Sequence, residues 1–341
     1  MKKYTSYLLP LCAIALFSTT ALSQKVGSTS MQFLKVMPVA RATGMGDAYS
    51  VLASGADAVF WNPAGVAQTE NSEISLTYIK WFIDTKQGAL SYATTVKGFG
   101  SLGFQLQYVD FGEIPEAVWA SPYKDDLSYP GLTGRTFRPF TYLVGLTYAS
   151  QLTDKFTTGL SVKYAHESLY DGQTHQALTS KGDSVTVDTW ANGLMFDFGL
   201  QYNTGYRSIR IAASVQNFGP NVKYASEGNA IPLALRVGIA ADLIGTNGLY
   251  TSSESNRITM AFDLFQPNDY EQQAHAGIEY EYAGTFSVRG GYKFNYDTEG
   301  LTAGVGFEHT SGPVKLVVDY SFGKMNTELG DVHRISLGAK F

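Results

Sequence analysis

Three observations predict an all-β transmembrane fold, an outer-membrane barrel of about fourteen antiparallel strands around a small, partly helical N-terminal hatch. The chain ends in a strand-like tail, Val332 to Phe341, in which Ile335, Leu337, Ala339 and Phe341 share one face with His333 in line behind them. A terminal aromatic on such a strand is an assembly signal, so Ile335, Leu337 and Phe341 mark the chain for the barrel assembly machinery and for outer-membrane lipid. The first residues read as an export signal. Between the two ends, apolar residues recur at alternate positions in a chain whose mean hydropathy is only -0.08.

Lys2 and Lys3 precede an apolar run from Tyr7 to Phe17, and Ala21-Leu22-Ser23 supplies the small residues a signal peptidase cuts. The run falls short of the ~20 residues a spanning helix needs. Residues 1–23 are therefore expected to leave, taking Cys12, the one cysteine of the chain, with them. The mature chain then has neither disulfide nor thiolate chemistry. With 44% hydrophobic residues, 35 glycines and 22 tyrosines in 341 residues, the chain is neither disordered nor a helical membrane protein. The formal charge of -5, which falls to -7 when Lys2 and Lys3 are lost, argues against nucleic acid as a partner.

The strands emerge at a period of two. Leu102, Phe104, Leu106 and Tyr108 face one way, while Ser101, Gly103, Gln105 and Gln107 face the other. The pattern recurs at Phe156 to Tyr164, Leu194 to Tyr202, Ile209 to Val215 and Leu233 to Ile239. From Ile258 onward, Glu279, Arg289, Lys293 and Asp319 oppose the apolar face. Segments at Ile74 to Phe82, Ala89 to Val96 and Phe140 to Tyr148 complete the set, placing the barrel at residues 71–341. Short turns at Gly98-Phe99-Gly100, Leu152 to Asp154, Thr204 to Tyr206, Ala283-Gly284 and Ser311-Gly312 fall at every second connection, as periplasmic turns should. The Ile244 to Asn256 connection breaks this rule by its length, which points to a misplaced strand there.

Residues 24–70 differ in character. Alanines and glycines suit short, closely packed helical turns, Asp57 can cap one, and Asn62-Pro63 can end one. Too small to be a domain, the segment is expected in the lumen as a hatch, with Arg41 and Asp47 pairing luminal charges such as Arg289 or Glu279.

The run FLKVMPVARATGMGDAYSVLASGADAVFWNPAGVA, from Phe33 to Ala67, and YVDFGEIPE at Tyr108 to Glu116 carry a family resemblance. With the strands between and after them, they resemble the PorV/PorQ family of outer-membrane proteins, which is related to the FadL-type transporters. Asn62-Pro63-Ala64 is shared with the FadL-type hatch, and Gly44-Met45-Gly46-Asp47 is closer to the PorV side. The resemblance implies the same barrel, with Arg41, Gly44, Gly46, Asp47, Trp61, Asn62, Pro63 and Gly65 as hatch residues. It also implies work with a type IX secretion apparatus. Proteins of this kind receive cargo by its C-terminal signal domain beside the translocon and deliver it for surface attachment.

Other motifs yield to plainer readings. Gly98-x-Gly100-x-x-Gly103 spells a dinucleotide fingerprint, but a strand follows it where that motif requires a helix. The five histidines lack metal-ligand spacing, Asp125-Asp126 and Glu113 read as a solvated acidic loop, and no serine is singled out as a nucleophile. No cofactor, metal or enzymatic activity is expected. Tyr78, Trp81, Phe82, Tyr108, Phe111, Tyr142, Tyr148, Tyr164, Tyr292 and Tyr296 sit near strand ends, where an interfacial girdle belongs. The extracellular loop after Gly112 is different, carrying Ile114, Pro115, Val118, Trp119, Tyr123, Tyr129 and Phe137 beyond the membrane. Such a group either packs over the barrel mouth or meets a partner. Two functions follow: a secretion component that binds a translocon subunit or a cargo signal domain, or a FadL-type transporter of hydrophobic small molecules. The luminal faces, with Gln105, Gln107, Lys163, Glu167, Arg210, Gln216, Arg236, Glu279, Arg289 and Lys293, are polar for the second.

Overall fold

The computed structural model describes residues 27–81, 85–118, 131–171, 173–178, 183–224, 227–325 and 330–341. The expected signal peptide, 1–23, lies outside them. Fourteen strands form the wall: β1 (Ser72–Lys80), β2 (Lys86–Val96), β3 (Gly100–Asp110), β4 (Phe140–Thr153), β5 (Phe156–Ser168), β6 (Trp190–Asn203), β7 (Arg210–Phe218), β8 (Ala234–Gly245), β9 (Asn256–Pro267), β10 (Gln273–Tyr282), β11 (Phe286–Phe294), β12 (Glu299–Ser311), β13 (Val314–Met325) and β14 (Val332–Lys340). Each pairs antiparallel with its neighbour in sequence, and β14 pairs with β1, so the sheet closes on itself. Closure leaves no sheet edge in hydrocarbon, the condition for a β-protein to span a bilayer.

Alternation sets the two faces. On β3, Leu102 and Tyr108 are exposed while Ser101, Gln105 and Gln107 are buried. The same division runs through β10, where Ile278 and Tyr280 face out and His275 and Glu279 face in. The terminal strand obeys it too. Ile335 lies against Tyr78 and Tyr320, Leu337 against Leu76 and Val318, and Phe341 exchanges two 2.9 Å backbone hydrogen bonds with Ser72, which seals the seam.

The connection after Gly245 is long, and the strands on either side of it are in place. Leu249 and Tyr250 donate backbone hydrogen bonds to the Asp242 and Leu243 carbonyls, Thr251–Ser252 pairs parallel to Ile244 and Gly245, and Arg207 reaches from the neighbouring turn to the Gly248 and Leu249 carbonyls. A turn that satisfies its own backbone this way can be long without disturbing the barrel.

The girdle needs three corrections. Trp81 packs with the luminal residues Ile79, Met325 and Val332, Phe111 packs in a luminal cluster with Val109 and Leu143, and the Tyr296 hydroxyl lies 2.8 Å from the His275 ring inside the barrel. Each sits at or past a strand end, where strict alternation no longer fixes the side. Phe82 lies outside the described residues.

The segment before β1 fills the lumen with short turns at Gln32–Lys35, Ala40–Gly44, Gly55–Asp57, Ala58–Trp61 and Pro63–Gln68. It enters beside the extracellular loops, where Thr29 bridges Ala230, and leaves at the periplasmic end, where the Thr95 hydroxyl donates to the Thr69 carbonyl. Its apolar side chains, among them Val39, Tyr49, Val59 and Trp61, meet the alanines Ala89, Ala93, Ala149 and Ala261 of the wall. Small wall residues admit the plug.

Candidate functional site

Two groups of residues stand out, the hatch in the lumen and the extracellular loop after β3. In the hatch, Arg41 Nη2 lies 2.7 Å from Glu279 Oε1 and its Nε 3.0 Å from Oε2. Glu279 also holds Arg289 Nε at 2.6 Å, and Arg289 Nη1 reaches Asp319 Oδ1 at 2.5 Å. Two guanidiniums and two carboxylates thus alternate from plug to wall, which offsets the cost of removing each charge from water. Asp47 pairs with Lys293, at 2.6 Å, and not with Arg289; Lys293 also holds Glu299 at 2.5 Å. The backbone carbonyl of Asp47 accepts from Arg236, 2.9 Å away. Burial and the Glu279 charge act in opposite senses on Arg41, and the charge prevails, raising it further above the usual guanidinium range.

Gly46 shows why this stretch reads as it does. Its φ of 65° suits glycine, and an added Cβ would sit 2.6 Å from the Tyr292 backbone nitrogen. Gly44 is buried in the helical turn Ala40–Gly44, against the backbone of Gly304.

Trp61 is fully buried, donates from Nε1 to the Pro38 carbonyl at 3.2 Å and meets Tyr49 edge-on at 5.7 Å. Arg236 spans the Trp61 and Phe265 rings, at 5.2 and 4.5 Å from their centroids. Asn62 ends one turn and caps the next. Its Oδ1 accepts from Ala64 N at 3.1 Å, Pro63 occupies the first position of the new turn, and Nδ2 donates to the carbonyls of Ser50 and Leu200. The plug touches the wall here, since a Cβ on Gly199 of β6 would lie 2.0 Å from Asn62 Oδ1. A Cβ on Gly65 would lie 2.1 Å from the Ala53 carbonyl oxygen.

Asp57 does not cap with its side chain as expected. Ser91 Oγ donates to its Oδ1 at 3.4 Å instead, and burial, together with the charges of Asp319 and Glu73, pushes its carboxyl up to about 6. The glycine-rich turn at Gly98 is a β2–β3 hairpin with φ of 78° at Gly98 and 127° at Gly100. A Cβ on Gly103 would meet Val59 of the plug at 2.7 Å, which leaves no nucleotide-sized cradle.

The extracellular loop folds as a hairpin of Ile114–Val118 against Gly131–Phe137, with Ile114 opposite Phe137 and Pro115 opposite Thr136. Phe137 packs on Tyr170 of the next loop at 4.6 Å. The Tyr170 hydroxyl donates to Glu116, which also accepts from Arg135 Nε at 2.8 Å and Thr133 Oγ1 at 2.5 Å. These hydrogen bonds hold the Glu116 carboxyl below the usual range. Val118 ends the first hairpin strand, and Trp119, Tyr123 and Tyr129 lie outside the described residues. Ile114 and Leu132 are exposed.

The family profile described as "Type IX secretion system protein PorV" matches residues 19–265, which takes in the hatch and the wall as far as β9. The chain belongs to the PorV family. No curated protein sequence matches it. Among solved structures, this PorV-family barrel is similar to the toluene transporter TodX of Pseudomonas putida, with 15% identity and a TM-score of 0.54 over 87% of this chain and 96% of that one. It is likewise similar to the CymD monoaromatic hydrocarbon channel, with 14% identity and a TM-score of 0.55 over 89% of this chain and 96% of that one. At such identity the likeness is one of fold; the closed barrel together with membership of the PorV family places the chain in the outer membrane of a Gram-negative bacterium.

Proposed function

We propose that the protein is a non-enzymatic component of a type IX secretion apparatus that binds a translocon subunit, a cargo signal domain or both through the extracellular hairpin after β3. The observation that carries this reading is the family membership combined with a lumen that leaves little room for a small apolar cargo. Cavities between plug and wall measure about 20 Å³ beside Phe60 and Lys163 and about 50 Å³ beside Arg41 and Asp57, room for one or two waters each. A wider one of about 330 Å³, at the β4–β5 and β6–β7 turns, is lined mostly by polar side chains, among them Gln68, Asp154, Lys155, Gln201 and Arg210, and does not suit an apolar cargo. The large apolar depressions, about 630 and 540 Å³, lie on the lipid side of the wall around Ile239 and Phe262. Meanwhile the loops carry an ordered hairpin with Ile114 and Leu132 exposed. Exposed apolar groups on a braced hairpin suit a protein contact.

Deletion of residues 119–136 tests the reading. It leaves the barrel folded and heat-modifiable in gel migration and abolishes co-purification of partners in mild detergent. Partners that still co-purify, or an apolar small molecule extracted in stoichiometric amount from the native protein, contradict it, the latter in favour of transport.

A further inference from the structure

Six luminal side chains form one cross-strand row at the extracellular end of the barrel. The register runs from Arg334 on β14 to Ile79 on β1, Gln87 on β2, Val109 on β3, Thr141 on β4 and Glu167 on β5. All six are buried. Three are polar groups left without partners: Arg334 Nε, both polar atoms of the Gln87 carboxamide and Thr141 Oγ1 make no hydrogen bond. Arg334 makes no ion pair among the described residues and lies 5.3 Å over the Trp81 ring, while Asp47 and Glu299 are both taken by Lys293. Unmade hydrogen bonds at buried groups cost free energy, and a cluster on one row calls for a reason.

The first turn of the hatch lies against the apolar members of the row. Val36 packs beside Ile79, and Phe33 and Leu34 pack beside Val109. Met31, which opens the turn, has φ of 52°, and Val39, three residues past Val36 and just before the next turn, has φ of 77°. For a β-branched residue such as Val39 this is backbone strain, which persists at segments poised to rearrange.

We propose that this row binds the end of an extended polypeptide, with its α-carboxylate on Arg334 and its backbone amides on Gln87 and Thr141, after the Met31–Val36 turn lifts away. A guanidinium takes a carboxylate through two parallel hydrogen bonds. A carboxamide with donor and acceptor both free matches a peptide group. At ~4.8 Å per strand, Arg334 and Thr141 stand ~19 Å apart, the length of about six extended residues. A simple aliphatic acid satisfies Arg334 and leaves Gln87 and Thr141 unpaired. The inference shares with the proposed function only the premise that the partner is a polypeptide; the site is inside the barrel and not on the loop.

The test uses the protein immobilised in detergent and random hexapeptide pools, one with free α-carboxylates and one amidated, with retained peptides counted by mass spectrometry. Because a charge-assisted bidentate contact is lost on amidation, carboxylate-ended peptides are retained about tenfold more than amidated ones. Arg334→Gln removes that preference. Gln87→Met lowers retention of both pools, and deleting residues 119–136 leaves the preference intact while removing partners, which separates this site from the loop. Equal retention of the two pools overturns the proposal. So does a preference that survives Arg334→Gln in a barrel still heat-modifiable in its migration. Retention of oleate without peptide, abolished by Arg334→Gln, also overturns it and assigns the row to free carboxylic acids.

Discussion

On the β10 to β13 side of the lumen, Arg41 of the hatch is locked to the wall through Glu279, Arg289 and Asp319, every one of them in an ion pair. On the β14 to β4 side, Arg334, Gln87 and Thr141 are as deeply buried and hold polar atoms with no partner at all. Burial alone therefore does not distinguish a lock from a latent site, and neither does a single unbonded atom, since Asp47 Oδ1 and Arg236 Nε are unbonded on the locked side; what differs is that Asp47 and Arg236 are held there through their other atoms. One side fixes the plug, and the other is built to be paired by something that arrives.

Substitutions should divide the two sides sharply. Glu279→Ala strands the half-buried Arg41 guanidinium and leaves the buried Arg289 with Asp319 alone, and is expected to lower stability by about 3–5 kcal/mol, read as a fall in the temperature at which the heat-modifiable band is lost. Gly46→Ala, which strains the backbone and drives a methyl into the Tyr292 amide, should cost about 2–3 kcal/mol and loosen the hatch to limited proteolysis. If Gly46→Ala is silent, the plug is not seated where its backbone meets β11.

The pH response sharpens the same comparison at the periplasmic end of the plug. Asp57 has a folded-state pKa of about 6 against an ordinary value of 3.8, so its native form binds the proton more tightly than the unfolded chain does. Its contribution is fully favourable below the unfolded value and is lost as pH rises through about 6. Asp57→Asn should accordingly stabilise the barrel by about 1–3 kcal/mol at pH 7.5 and by little at pH 4, measured in parallel melts. The smallest effect belongs to the unpaired row. Gln87→Leu removes a carboxamide that has no partner and is expected to change stability by less than about 1 kcal/mol, or to raise it. A loss as large as that of Glu279→Ala would mean that Gln87 is paired in the resting protein and would erase the contrast.

Much of this architecture is legible in the sequence. Period-two alternation finds the strands because one face meets lipid and the other a filled lumen, and Phe341 announces the terminal strand that β1 receives. Arg41 with Glu279 is also readable, since both are charges that a luminal plug has to match. Lys293 as the partner of Asp47 is not, because which wall charge lies opposite a plug residue depends on strand tilt and stagger around the whole barrel. Trp81, Phe111 and Tyr296 mislead for a local reason: past the last paired residue the chain turns inward. The long turn after Gly245 looks anomalous until its backbone hydrogen bonds are seen. The Arg334 to Glu167 row is hidden most deeply, for it needs the exact register across five consecutive strands, β1 to β5, and Arg334 joins it from β14, at the other end of the chain, only on closure.

Hydrogen exchange followed by mass spectrometry, on the detergent-solubilised protein, tests the division most directly. Amides from Thr43 to Ala53, hydrogen-bonded within a plug that is ion-paired to the wall, should exchange as slowly as those of β10 and β12, while those of Leu34 and Val36 in the first turn exchange at least about tenfold faster because that turn opens locally. Uniform slow exchange from Leu34 to Ala53 would contradict a plug with one locked side and one side that lifts.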